Sequence, residues 1–322
     1  MKQRVTIIVA ALAGGLILVP SAQATVTCSY DEVGAPGAAE NVLAIETTDT
    51  KERATVVRSG AAIRVRTVTG AVVNCTGDAP TVNNLDSITF NGKKPDASLT
   101  IDHRGGPFAP GATDEGANNS EIEFEISAKR GSVLFAGTGG SDTFAFGEIP
   151  RGGPKSKRDP AANLNSTVEL AKDADVIMTD VASIAVRLRG GADVTSGRGG
   201  VEFAGPVRSA SFDVRGGPGG DFITGGGRVD LLAGGGGGDL LRGGGGGDRL
   251  LGGGKRDRLV GAGGGDFLKG GGGRDRALGG AGDDRLALKD GARDLGKCGP
   301  GRDSGRADRK DRLRGCEAVR RR

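Results

Sequence analysis

Residues 216–287 divide into eight units of nine with no insertion: GGPGGDFIT, GGGRVDLLA, GGGGGDLLR, GGGGGDRLL, GGGKRDRLV, GAGGGDFLK, GGGGRDRAL and GGAGDDRLA. Asp stands sixth in every unit: Asp221, Asp230, Asp239, Asp248, Asp257, Asp266, Asp275 and Asp284. The eighth position is aliphatic throughout, from Ile223 and Leu232 to Ala277 and Leu286. A unit this short cannot bury its one apolar side chain alone, so consecutive units must stack on one another. The 72 residues hold 31 of the chain's 62 glycines. A flexible linker or an Arg/Gly RNA-binding box, suggested by Arg242-Gly243-Gly244, does not account for Asp at every ninth position.

Composition narrows the remainder. There is no three-residue Gly repeat, which excludes collagen. Ten Phe, one Tyr and no Trp exclude one aromatic-rich core spanning all 322 residues. A single histidine, His103, excludes any site needing two imidazoles, such as the HExxH zinc hydrolases.

The units match GGxGxDxUx and resemble the nonapeptide of RTX (hemolysin-type) calcium-binding repeats. The resemblance covers residues 216–287 and, loosely, 298–303. It implies a parallel β-roll in which each unit is a Gly-rich loop followed by a short strand. Two units make one 18-residue turn, so eight give four turns, about 19 Å of strands stacked at roughly 4.8 Å. It further implies Ca²⁺ between successive same-side loops, up to about six ions, each needing six to eight hard oxygens. These would come from the eight Asp carboxylates and from main-chain carbonyls of loop glycines such as Gly234, Gly236, Gly243, Gly245, Gly261 and Gly263. Glycine reaches positive φ and brings carbonyls near an ion without a Cβ clash.

One edge would carry Asp221, Asp239, Asp257 and Asp275, and the other Asp230, Asp248, Asp266 and Asp284. Position four, a glycine in the motif, is Arg228 in the second unit and Lys255 in the fifth. These departures touch the pairs 230/248, 239/257 and 257/275. The pairs 221/239, 248/266 and 266/284 stay clean, apart from Ala262 at a second-position glycine. Eight aliphatic side chains make a thin core, so folding should be coupled to ion binding. The roll holds nine Asp against ten Lys and Arg, which should soften the calcium dependence.

The rest of the chain frames the array. Lys2 and Arg4, an apolar run from Val5 to Val19 and the small-x-small Ala22-Gln23-Ala24 read as a signal peptide over 1–24. The mature chain is expected to be secreted, without a membrane span. Its 42 Lys and Arg against 40 acids point to no particular polyanion, and nucleic-acid binding fits poorly with export. Cys28, Cys75, Cys298 and Cys316 allow three disulfide connectivities. Sequence proximity selects Cys28–Cys75 and Cys298–Cys316. Residues 25–130 read as an N-terminal β domain, with Phe124 and Ile126 alternating with Glu123 and Glu125. A Gly137 to Phe144 echo of the repeat, with Asp142 at position six, marks 131–215 as a candidate diverged solenoid with no same-side neighbour for that Asp. Arg151 to Asn165 reads as a basic surface loop, His103 as a surface residue and Arg320 to Arg322 as a frayed tail. Residues 288–322 form a degenerate cap in which Asp303, nine residues after Asp294, is one residue out of register.

The expected class is therefore all-β: an N-terminal β region followed by a calcium-binding parallel β-roll. The leading function is an exported scaffold that binds Ca²⁺ and folds on binding, with cell-surface or extracellular polymers as partners. The alternative is a secreted hydrolase or polysaccharide-modifying enzyme carrying a calcium module. Residues 25–215 hold no zinc motif, serine elbow or aromatic-rich sugar cleft to support it. A pore-forming toxin needs long amphipathic or apolar helices, which the pattern lacks. RTX exporters usually read a C-terminal signal, whereas the leader here is N-terminal.

Overall fold

The computed structural model describes residues 26–33, 40–81, 85, 87–105, 123–150, 158–164, 176–198 and 207–321. The expected leader at 1–24 lies outside these residues. Every regular element among them is a β-strand, apart from one 3-10 turn at His103–Gly105.

Strands Leu231–Gly236, Arg249–Gly254 and Phe267–Gly272 pair in parallel through Leu232, Leu250 and Leu268. Strands Leu240–Gly245, Arg258–Gly263 and Arg276–Ala281 pair likewise through Leu241, Leu259 and Ala277. Consecutive strands thus lie on opposite faces, and each pairs with a strand two units away. This is a parallel β-roll; the face of Leu232 is called face one and that of Leu241 face two.

Strand alternation explains the motif. Asp239, Leu241 and Gly243 are buried, while Leu240 and Arg242 between them are less so. The interior therefore repeats acid, aliphatic, glycine. Gly234, first in its unit, must lack a side chain because a Cβ there would lie 2.1 Å from Asp239 Oδ2. Gly237, fourth in the same unit, has φ +148°, and its Cβ would lie 1.6 Å from the Gly219 carbonyl oxygen one turn away. The two glycines are fixed by different contacts, one with an acid and one with the neighbouring backbone.

The roll continues beyond the regular units in both directions. On face one, Ser211–Pro218 joins Leu231–Gly236 to Val176–Arg187, which pairs with Glu123–Ala136 and through it with Ser87–Gly92 and Ser98–Asp102. On face two, Phe222–Thr224 joins the array to Val194–Ser196 and Thr143–Pro150. Towards the C-terminus, Ser304–Ala307 and Ala318–Arg321 extend face one, while Leu295–Lys297 and Arg312–Arg314 extend face two. The filling changes along the axis. Upstream, Phe135 meets Phe146 at 5.4 Å and Phe146 meets Phe212 at 5.3 Å, ring centre to ring centre. Within the repeats the interior apolar residues are Leu, Ile and Ala, each fully buried.

The two ends are tied by disulfides with the expected pairing, Cys28–Cys75 and Cys298–Cys316. The first anchors the antiparallel hairpin Val26–Val33/Glu40–Thr47.

Three expectations are corrected. Arg158–Leu164, inside the expected loop at 151–165, is a strand antiparallel to Thr143–Pro150. His103 is buried at 2% exposure, edge-on to Phe144 at 5.8 Å, because the strand carrying Phe144 packs over its turn. Arg320 and Arg321, expected to fray, sit in the last strand and pair with Arg306 and Ala307.

Candidate metal centre

Each repeat aspartate is held between two turns. Its backbone N–H donates to Oδ1 of the Asp one turn further on: Asp221 to Asp239, Asp239 to Asp257 and Asp257 to Asp275, at 2.8–2.9 Å. The second series runs Asp230 to Asp248, Asp248 to Asp266 and Asp266 to Asp284, at 2.7–2.9 Å. Two parallel carboxylate stacks result, one at each edge of the roll, with the membership that the 18-residue turn implies.

Both stacks outrun the regular array. Asp275 N–H donates to Asp294 and Asp284 N–H to Asp303, so the one-residue shift is absorbed without losing the contact. The stacks then end at Asp311, which accepts from Asp294, and at Glu317, which accepts from Asp303. Upstream, Asp142 N–H donates to Asp193, whose N–H donates to Asp221. Asp142 therefore has a same-side neighbour, contrary to expectation. That partner is 51 residues away because the antiparallel pair Thr143–Pro150/Arg158–Leu164 and the long strand Val176–Arg187 are inserted between them. Asp193, Asp311 and Glu317 were missed by the sequence reading. Gly190-Gly191-Ala192-Asp193 retains a trace of the motif, whereas Asp311 follows Arg309-Lys310 and carries no such signal.

The second carboxylate oxygen behaves differently. Oδ2 of Asp193, Asp221, Asp239, Asp248, Asp257, Asp266, Asp275, Asp284, Asp294 and Asp303 is buried with no hydrogen-bond partner. Asp230 is an exception, since its Oδ2 accepts the Gly226 N–H at 2.7 Å. It sits in the unit carrying Arg228, where neither Gly226 nor Arg228 takes the positive φ of the other loops. Asp142 is another, accepting from Thr138 N–H and Oγ1.

The unpartnered oxygens face main-chain oxygen. The position that a Cβ on Gly216 would fill lies 2.1 Å from Asp221 Oδ2 and 2.5 Å from the Gly234 carbonyl. Gly243 repeats this with Asp248 at 2.2 Å and the Gly261 carbonyl at 2.9 Å, and Gly261 with Asp266 and the Gly279 carbonyl. Each cradle is a glycine-sized gap bordered by a carboxylate and a carbonyl of the next turn. Third-position carbonyls are engaged in part: Gly236 accepts from Gly219 N–H at 2.6 Å.

Burial without a counter-charge raises these acids. It pushes Asp193, Asp230 and Asp266 up to about 6, and Asp248, Asp257 and Asp294 up to about 7. Asp221, Asp239, Asp275 and Asp284 are raised for the same reason. Accepted backbone N–H bonds oppose the effect, while stack neighbours add to it, as Asp230 and Asp266 do at Asp248. Such a stack needs a proton or a cation at neutral pH. No group of three or more His, Cys, Asp or Glu side chains converges among the described residues. A cation here would therefore take most of its ligands from the main chain. All the available donors are hard oxygens, which fits an alkaline-earth ion and not a thiophilic metal.

Asp102 and His103 form no comparable site. Both Asp102 oxygens accept from Arg104, and burial lowers His103 to about 4. No helix among the described residues is long and apolar enough to cross a membrane. No protein-family model matches the chain, and no curated protein matches it either.

Proposed function

We propose that this chain is an exported calcium-binding scaffold of the RTX type, whose roll folds around its ions. The observation that carries the reading is the set of ten buried aspartates whose Oδ2 has no partner. Seven of these belong to the regular units and the other three, Asp193, Asp294 and Asp303, adjoin them; each cradle described above also offers a carbonyl. Calcium would supply the missing positive charge and tie consecutive turns together. Asp221, Asp239, Asp248, Asp257, Asp266, Asp275 and Asp284 are assigned as carboxylate ligands, with the Gly234, Gly261 and Gly279 carbonyls beside them. Asp230 contributes less because Gly226 already occupies one oxygen. Asp303 keeps an unpartnered oxygen and extends the series, whereas Asp142 does not. Two disulfides suit an oxidising, extracellular setting, and the regular surface suits a structural or interaction role in place of catalysis.

Calcium titration of the full mature chain, followed by far-ultraviolet circular dichroism against a chelator control, tests this. The β-signal should strengthen and the thermal midpoint rise at millimolar calcium, and both should fall back on chelation. A spectrum and thermal midpoint indifferent to calcium would refute the proposal.

A further inference from the structure

The outward side of face two is cationic over the C-terminal half of the roll. Its seventh-position row runs Arg258, Arg276, Leu295 and Arg312, through consecutive paired strands. Beside it, at the turn, stand Arg256, Arg274 and Arg293, all exposed. Successive turns place Arg258 and Arg276, and likewise Arg256, Arg274 and Arg293, about one strand spacing, roughly 4.8 Å, apart along the axis, while Leu295 puts two spacings between Arg276 and Arg312. A groove of about 390 Å³ lies between the seventh-position row and the ninth-position residues Leu278, Lys297 and Arg314, with Leu278, Leu295 and Gly296 in its floor. A second, of about 440 Å³, lies between the two arginine rows around Arg274 and Arg293, with the buried Asp275 at its base.

These cations are uncommitted. None of the arginines named forms an ion pair among the described residues. From Phe222 to Arg314, no outward seventh or ninth position of face two is acidic. Asp290, exposed, and Asp308, half-buried, accept main-chain N–H bonds near this edge. Face one differs: Arg249 and Arg285 there lie over the Phe267 ring, at 4.6 and 6.0 Å.

We infer that this groove is a docking site for an acidic polysaccharide, one bearing sulfate or carboxylate groups along its length. A linear array of forked donors set at multiples of the strand spacing fits a linear polyanion better than a compact one. The aliphatic floor suits the C–H faces of sugar rings. Single-stranded nucleic acid needs aromatic stacking platforms, and the groove has none. A planar bilayer does not match two grooves whose apolar residues lie between arginine rows. The inference rests on the roll's geometry and charge, and is independent of which ion occupies the carboxylate stacks.

The test uses the full mature chain, with its fold checked by circular dichroism, over immobilised dextran, carboxymethyl dextran and dextran sulfate. These share one backbone and differ in charge. The charged polymers should bind with salt-dependent affinity and plain dextran should not. The triple variant R258Q/R276Q/R312Q should lose about tenfold or more in affinity, while R249Q/R285Q/R306Q, equal in charge change but on face one, stays within about twofold. Equal losses in the two triples would overturn the site, since net charge alone would then explain binding. Retention of neither charged polymer near physiological salt would overturn it too. Tighter binding of duplex DNA or phosphatidylglycerol vesicles than of dextran sulfate would reassign the surface and refute the proposal.

Discussion

Asp248→Asn separates the two ways of neutralising a buried stack. Asp248 is 2% exposed, accepts the Asp230 N–H at 2.9 Å and has its carboxyl pushed up to about 7 from an ordinary 3.8. In the metal-free roll the folded carboxyl therefore keeps a proton that the unfolded chain has already released. Because the folded value is the higher one, this group's stabilisation is complete at low pH and is lost as pH rises towards 7. The loss is about 1.4 kcal/mol per pH unit, or about 4 kcal/mol by neutrality. Asn keeps an acceptor for the Asp230 N–H and never ionises. With chelator at about pH 7.5, the variant should be more stable than the parent by up to about 4 kcal/mol, and at about pH 4 the advantage should vanish. In millimolar calcium the order should reverse, because two inter-turn positions, 230/248 and 248/266, lose a carboxylate. Urea unfolding monitored by circular dichroism under these three conditions reads all of it. A variant destabilised equally at both pH values under chelator, or one as stable as the parent in calcium, would refute the reasoning.

Other consequences are simpler. Lys255 and Ala262 sit at φ +75° and +88° where the motif has glycine, so K255G and A262G should each raise stability by about 0.5–1 kcal/mol in urea melts. Gly234→Ala should cost more than about 2 kcal/mol, because its methyl would meet Asp239 Oδ2, whereas Gly272→Ala, with open space and no positive φ, should be neutral within about 0.5 kcal/mol. Removing the Cys298–Cys316 bridge, which spans 18 residues, should cost about 3 kcal/mol and make the C-terminal turns the first to yield in limited proteolysis.

The repeats could be read almost completely because an uninterrupted period fixes both the turn length and the side each residue faces. Once Asp239 and Asp257 are 18 residues apart, their stacking follows. Where insertions break the period, the same contact becomes invisible: Asp142 and Asp193 touch as Asp239 and Asp257 do, yet 51 residues separate them. Arg158–Leu164 was hidden by its charge and by Pro160, a residue that normally argues against a strand interior. The burial of His103 depends on Phe144, some forty residues later, which local pattern cannot report. The chemistry of the site was legible only by half. The motif showed that Asp and Gly belong together, but not that one carboxylate oxygen holds the neighbouring turn while the other is left over.

The inter-turn bond has a direction. In each stack the donor is the earlier residue and the acceptor the later one, from Asp142 to Asp311 on one side and up to Glu317 on the other. Every turn is therefore completed by the turn that follows it. A chain emerging N-terminus first would present its aromatic section as a template and then close turn by turn, with Glu317 as the stop. The length of such a rod is quantised. Excising 18 residues rejoins donor to acceptor on both edges, whereas excising nine would exchange the faces and splice one stack onto the other. Lengthening or shortening by whole turns thus keeps every residue on its own face, whereas a half-turn carries everything downstream of it to the opposite face.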